Sequence, residues 1–133
     1  MKYLLDINSL IALGHTSHIH HAGTIQWYQS IVRKETVLHT CSISELGFVR
    51  VSVRAGLQSD VPSARTALAR LKASSKILFT LLPDDLGADR LPAYAKSPNK
   101  ITDGHLLELA RRHGAMLVTL DTGIPGALLI PVS

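Results

Sequence analysis

A chain of 133 residues with 46% hydrophobic content can bury one substantial core and is too short for two ordinary domains, so residues 1–133 read as one domain. The formal charge of +4 and a pI of about 9.5 favour encounter with polyanions, because neutralised phosphates release counterions, although Arg111 and Arg112 or Lys72 and Lys76 also read as solvated helix faces. Asp6 and Asn8 interrupt the first apolar stretch, no small-residue cleavage site follows, and no apolar run approaches the ~20 residues of a bilayer span. The expectation is a soluble, cytoplasmic protein with no membrane association, and the single cysteine, Cys41, reads as a small buried hydrophobe.

Residues 2–5 are a short apolar strand ending at Asp6, with a helix opening just after it. A second helix is expected from His18 to Arg33, where His21, Ile25, Tyr28 and Val32 recur at helical spacing. Thr36–Thr40 is a β-branched strand. A helix then runs from Ser42 toward Gly56 with Ile43, Leu46 and Gly47 inward, although Val49–Arg54 alternates like a strand. Pro62 suits the first turn of the next helix, striped by Ala64, Leu68 and Leu71 and broken at Ser74-Ser75. Ile77–Leu82 reads as a buried strand, and 83–99, with three prolines, as loop with at most one short helix. Asp103 is expected to open a helix that Gly114 ends; Met116–Leu120 is a strand, and Ala127–Val132 is a last strand confined by Pro131 to a sheet edge. Strands alternating with helices imply an α/β fold, a three-layer sandwich around a mainly parallel sheet.

In open parallel sheets ligands bind at the carboxyl ends of the strands. Asp6 follows the first strand, Asp121 follows the strand ending at Leu120, and Glu45 lies one helical turn beyond Thr40, so these acids should share an edge. That rule does not bring Asp103 there. Each acid also has a local explanation: Asp6 and Asp103 as helix caps, Ser42-Ile43-Ser44-Glu45 as a capping box, Asp121-Thr122-Gly123 as a turn. With only 10 acidic residues in a basic chain, gathering several at one edge is costly unless a cation offsets their repulsion. A hard divalent ion does so, and magnesium leaves positions free for a phosphate oxygen.

The segments around these acids resemble the VapC-type toxins among the PIN-domain ribonucleases. Leu4-Leu5-Asp6-Ile7-Asn8-Ser9-Leu10-Ile11-Ala12-Leu13 resembles the opening strand and first ligand of that family, and Thr40-Cys41-Ser42-Ile43-Ser44-Glu45-Leu46-Gly47-Phe48-Val49-Arg50 its glutamate helix. Ile101-Thr102-Asp103-Gly104-His105-Leu106-Leu107-Glu108-Leu109-Ala110 and Leu117-Val118-Thr119-Leu120-Asp121 resemble its last two acidic segments, and Ser17-His18-Ile19-His20-His21 through Trp27 is similar to one toxin subgroup. The resemblance implies a PIN-like fold and a metal-dependent endoribonuclease that uses Mg2+, or Mn2+, to hydrolyse RNA phosphodiesters and leave a 5′ phosphate. Asp6 and Asp103 would be core ligands, Glu45 would complete the cluster, and Asp121 would contribute directly or through water. It also implies a small VapB-like antitoxin whose tail enters the acidic site, and a homodimer. One departure stands out: Thr122-Gly123-Ile124-Pro125 follows Asp121 where relatives often continue with an acid and a phenylalanine.

Other residues carry weaker signals. His15, His18, His20 and His21 lie close together without a cysteine nearby, and read as loop caps and helix surface in preference to a zinc site. His105 reads as a partly buried helix histidine, with approach to a phosphate as the alternative. Asn8 suits a supporting contact to a ligand carboxylate or a helix cap, and Arg50 and Arg54, one turn apart, suit either RNA phosphates or a solvated face. An aspartyl-phosphate phosphatase is disfavoured, because Asn8 stands where its second aspartate would be. A catalytically silent nucleic-acid- or protein-binding module on the same fold is the alternative to an enzyme.

Overall fold

Short apolar runs bounded by turns become strands here; helices long enough to cross the sheet join the first four strands, and a turn-rich loop without a helix leads to the fifth. The computed structural model describes residues 1–33 and 35–131. Its sheet contains β1 (Lys2–Leu5), β2 (Val37–Thr40), β3 (Leu78–Leu81), β4 (Met116–Thr119) and β5 (Leu128–Leu129) in the order β3-β2-β1-β4-β5. Every pairing is parallel, with Leu4 opposite both His39 and Leu117. The crossovers are α1 (Ile7–Gly14) and α2 (His21–Ile31), then α3 (Ser42–Arg54) and α4 (Val61–Ser74), then α5 (Ile101–Arg112).

The period-2 alternation of β1 and β4 divides the core between the two sheet faces. Tyr3, Leu5 and Val118 pack with Leu10, Trp27, Phe48 and Leu68 of α1–α4, whereas Leu4 and Leu117 pack with Leu106, Leu107 and Leu109 of α5. This gives the expected three layers. Removal of each such leucine from water contributes roughly 1.5–3 kcal/mol. No helix among the described residues is long and apolar enough to cross a membrane.

Several local expectations are corrected. The helix expected over His18–Arg33 is shorter, because His18 and His21 close successive turns onto the carbonyls of His15 and His18 before α2 begins. Trp27 and Thr24, not Val32, provide its buried side. Ile43 and Leu46 face outward, and Gly47 and Phe48 face inward. The strand at Leu78–Leu81 is a largely exposed edge rather than buried; the flanking Ile77 and Leu82 enter the core and Phe79 packs against it partly buried. The loop 83–99 holds two 3-10 turns, Ala88–Arg90 and Pro98–Lys100, and the second runs directly into α5. The last strand is the predicted edge but spans only Leu128–Leu129, and Val132 lies outside the described residues. Cys41 is free and fully buried, as expected.

Candidate active site at the carboxyl edge of the sheet

Asp6 occupies both of the roles that its sequence context suggests. It is the N-cap of α1, its Oδ1 accepting a 2.8 Å hydrogen bond from Ser9 N, while Oδ2 accepts a 2.6 Å bond from the Thr119 hydroxyl across the sheet. Asp6 N and Ser9 Oγ both donate to the Val118 carbonyl, at 3.0 and 3.1 Å, which fixes the strand-to-helix turn against β4. Only 4% of Asp6 is exposed. Burial raises its pKa; the hydrogen bonds from Thr119 and Ser9 oppose the rise and the Asp121 charge adds to it.

Thr119 couples two acids through one hydroxyl. Its oxygen accepts from Asp121 N at 2.9 Å while its proton goes to Asp6. The Asp121 carboxylate accepts from Gly123 N at 2.9 Å, the turn expected from Asp121-Thr122-Gly123.

Asp103 is not a cap. The cap position of α5 is Lys100, without a side-chain cap bond, and Asp103 sits in the first turn. Its carboxyl is half-buried, and desolvation, then the charges of Asp6 and Asp121, push its pKa to about 6. The reach of the Asp6 and Asp121 charges to Asp103 puts three of the four candidate acids in one neighbourhood. The Tyr94 phenol lies in the same field: desolvation and then Asp103 and Asp121 raise its pKa.

Glu45 reaches the same edge from β2 but is held separately. The predicted Ser42–Glu45 capping box is instead a Cys41–Ser44 one, with Cys41 N donating to Ser44 Oγ at 2.9 Å. Glu45 is thereby freed from capping, and its Oε2 accepts from Thr40 Oγ1 at 2.5 Å and from the Lys72 ammonium of α4. Lys72 is therefore an ion-pair partner rather than only a solvated helix residue. Thr40 and Thr119, each ending a strand, serve their carboxylates in the same way.

Two glycines beside the acids allow the helices to approach. A Cβ on Gly47 would lie 2.4 Å from Ile7 Cδ1, and one on Gly104 would lie 2.7 Å from the Ala95 methyl. The first brings the glutamate helix α3 against α1, and the second seats Asp103's helix on the 92–95 turn.

The remaining candidates lie elsewhere. His105 pairs with Asp84 at 2.6 Å, joining α5 to the loop after β3; burial works against the Asp84 charge, but bonds from His105 and Leu86 N keep its pKa low. His15 is buried against Phe48 and His21 bonds the Ala12 carbonyl, so these histidines serve the α1–α2 junction. Asn8 is exposed in the first turn of α1, which Asp6 caps. Arg50 and Arg54 are exposed and, with Leu46, Val49 and Val53, line a groove of about 830 Å3 between α3 and α4 whose end is the Glu45–Lys72 pair. Among the described residues no group of three or more His, Cys, Asp or Glu side chains forms a ready-made metal cage. The donor set nonetheless suits magnesium, which binds through one or two carboxylates, retains waters and takes up substrate phosphate rather than filling an all-protein cage.

The model of the PIN domain matches residues 3–126, and with them all four acids. The chain belongs to the PIN-domain family. This PIN domain is 39% identical over 126 residues to the ribonuclease VapC38 of Mycobacterium tuberculosis, an alignment covering 91% of this chain and 86% of that protein. It is 33% identical over 129 residues to the ribonuclease VapC39 of the same organism, covering 93% and 91% of the two chains. Its fold is similar to the crystal structure of the M. tuberculosis sarcin-ricin-loop-cleaving toxin VapC20, with a TM-score of 0.67 at 15% identity over 97% of this chain and 99% of that one. It is also similar to VapBC2 from Rickettsia felis, solved bound to a DNA fragment from their promoter, with a TM-score of 0.58 at 15% identity over 97% of both chains. At those identities the structural matches establish a shared PIN-like fold.

Proposed function

We propose that this protein is a VapC-type endoribonuclease toxin, working as one PIN-like unit in the cytoplasm and restrained by a small VapB-like antitoxin. The observation that carries the reading is the proximity of Asp6, Asp103 and Asp121 at the carboxyl edge of the sheet, where burial and then the charges of Asp6 and Asp121 push Asp103 to about 6. Carboxylates brought together in this way suit a cation that offsets their repulsion, and similarity to VapC ribonucleases over 91% and 93% of this chain supplies the reaction class.

Asp6 and Asp103 are the proposed ligands for Mg2+ or Mn2+, with Glu45 and Asp121 completing the set directly or through water. When bound, the ion supplies Lewis-acid activation of water and neutralises charge on the phosphodiester. The chain's own residues do the rest. Thr119 holds Asp6 in one rotamer and ties it to Asp121, so the edge is organised before substrate arrives. Asp103 must give up its proton to serve. Arg50 and Arg54 are placed to hold RNA phosphates flanking the site.

The overall positive charge raises the encounter rate with RNA while the acidic edge resists non-productive contact until a cation is present. The antitoxin would restrain the site by presenting a basic side chain to the carboxylates, and a homodimer is the proposed assembly. Expression of the chain alone should arrest growth and co-expression with the antitoxin should relieve it. Harmless expression of soluble, folded protein would count against the toxin reading.

A further inference from the structure

The charges of Asp6 and Asp121 bear on Asp103, but the fourth acid, Glu45, already has a cation. Both donors on Glu45 converge on one oxygen: Thr40 Oγ1 from the strand end and Lys72 Nζ from the last turn of α4 act on Oε2. The pair is partly sheltered, the side chains being 32% and 24% exposed. Lys72 has been brought there by packing rather than by local sequence, since it lies 27 residues beyond Glu45 on a helix that meets α3 along the groove.

Resting on the metal-site reading above, we propose that Lys72 is a positioning residue that occupies Glu45 and competes with the divalent cation for it. A cation using Glu45 has to share or displace the ammonium on Oε2, and the like charge of Lys72 opposes its approach. Lys72 therefore sets the metal concentration at which the fourth acid joins the site. Thr40 keeps the carboxylate oriented when the ammonium is displaced, because its hydroxyl approaches the same oxygen from the strand end and carries no charge. A partly exposed ion pair of this kind alters an equilibrium by up to about fivefold.

The test is titration of purified protein with MnCl2, read by calorimetry and by thermal melting, in wild type, Lys72→Met, Lys72→Arg, Glu45→Gln and the Lys72→Met/Glu45→Gln double variant. Lys72→Met should bind Mn2+ more tightly than wild type, by up to about fivefold, Lys72→Arg should stay near wild type, and in the Glu45→Gln background Lys72→Met should change nothing. Lys72→Gln, which keeps a hydrogen-bond donor without the charge, should behave as Lys72→Met and replaces it if that chain does not fold. Unchanged or weaker Mn2+ binding in both neutral variants, or an equal gain with Glu45→Gln, would overturn the competition. Absence of Mn2+ binding by the wild type would instead overturn the metal site itself.

Discussion

Asp103→Asn separates charge from shape, because Asp103 makes no cap bond that asparagine would have to replace. Its pKa rises from 3.8 to about 6 in the fold. At ~1.36 kcal/mol per pH unit, that difference of about 2.2 units has a ceiling of ~3 kcal/mol. Part is returned by the helix N-terminus, which favours a negative charge by ~0.3–1 kcal/mol, and solvent screens a half-buried carboxyl, leaving about 1–2 kcal/mol. The folded state holds the proton more tightly than the unfolded chain, so this stability is complete below about pH 4 and is lost as pH rises through about 6. The neutral variant does not lose it. In chelator at pH 8 it should melt roughly 4–7 °C above wild type, taking an unfolding entropy of ~2.1 cal/mol/K per residue, and at pH 4 the two should coincide. Added Mn2+ should raise the melting temperature of wild type and have little effect on the variant. A variant that melts at or below wild type at pH 8 in chelator, with an unchanged response to Mn2+, would refute the reasoning.

Thr119→Val removes the donor to the buried Asp6 and should cost about 1–3 kcal/mol in denaturant melts in chelator, with Thr119→Ser restoring most of the loss. Gly47→Ala forces a methyl onto Ile7 and should destabilise by about 1–3 kcal/mol, partly relieved by adding Ile7→Ala; denaturant midpoints of the single and double variants check both. Because Asp103 must be ionised to bind, Mn2+ affinity by calorimetry should rise with pH with a midpoint near 6. A flat profile from pH 5 to 7 would contradict that assignment.

The architecture was legible because β1, β2 and β4 are short, mainly apolar segments set between helices with strong stops, such as Gly56 and Gly114, both with positive φ. The edge shared by Asp6, Glu45 and Asp121 followed from parallel topology alone. Legibility failed where tertiary contact outweighed local pattern. Ser42-Ile43-Ser44-Glu45 has the letters of a capping box, but the helix starts with Cys41 as its cap, so Glu45 is shifted out of the capping position and becomes available to Thr40 and Lys72. Asp103 resembles a helix opener, yet the 3-10 turn at Pro98–Lys100 starts the helix earlier and leaves the acid facing Asp6. The apolar run Ile77–Leu82 reads as a buried strand, whereas β3 ends the sheet, so Leu78 and Leu81 stay exposed and Phe79 is only partly covered. Thr40 and Thr119, which end β2 and β4 ahead of Glu45 and Asp121, were visible in the sequence, but the bond from Thr119 to Asp6 required knowing which carboxylate lay across the sheet.

Purified wild-type protein and Asp103→Asn, incubated with single-stranded and stem-loop RNA in Mg2+, in Mn2+ and in chelator, test the central claim most directly. The account predicts internal cleavage leaving 5′ phosphates by the wild type with either ion, none in chelator, and none by the equally folded variant. Cleavage that persists in chelator, or that Asp103→Asn performs at the wild-type rate, would contradict it.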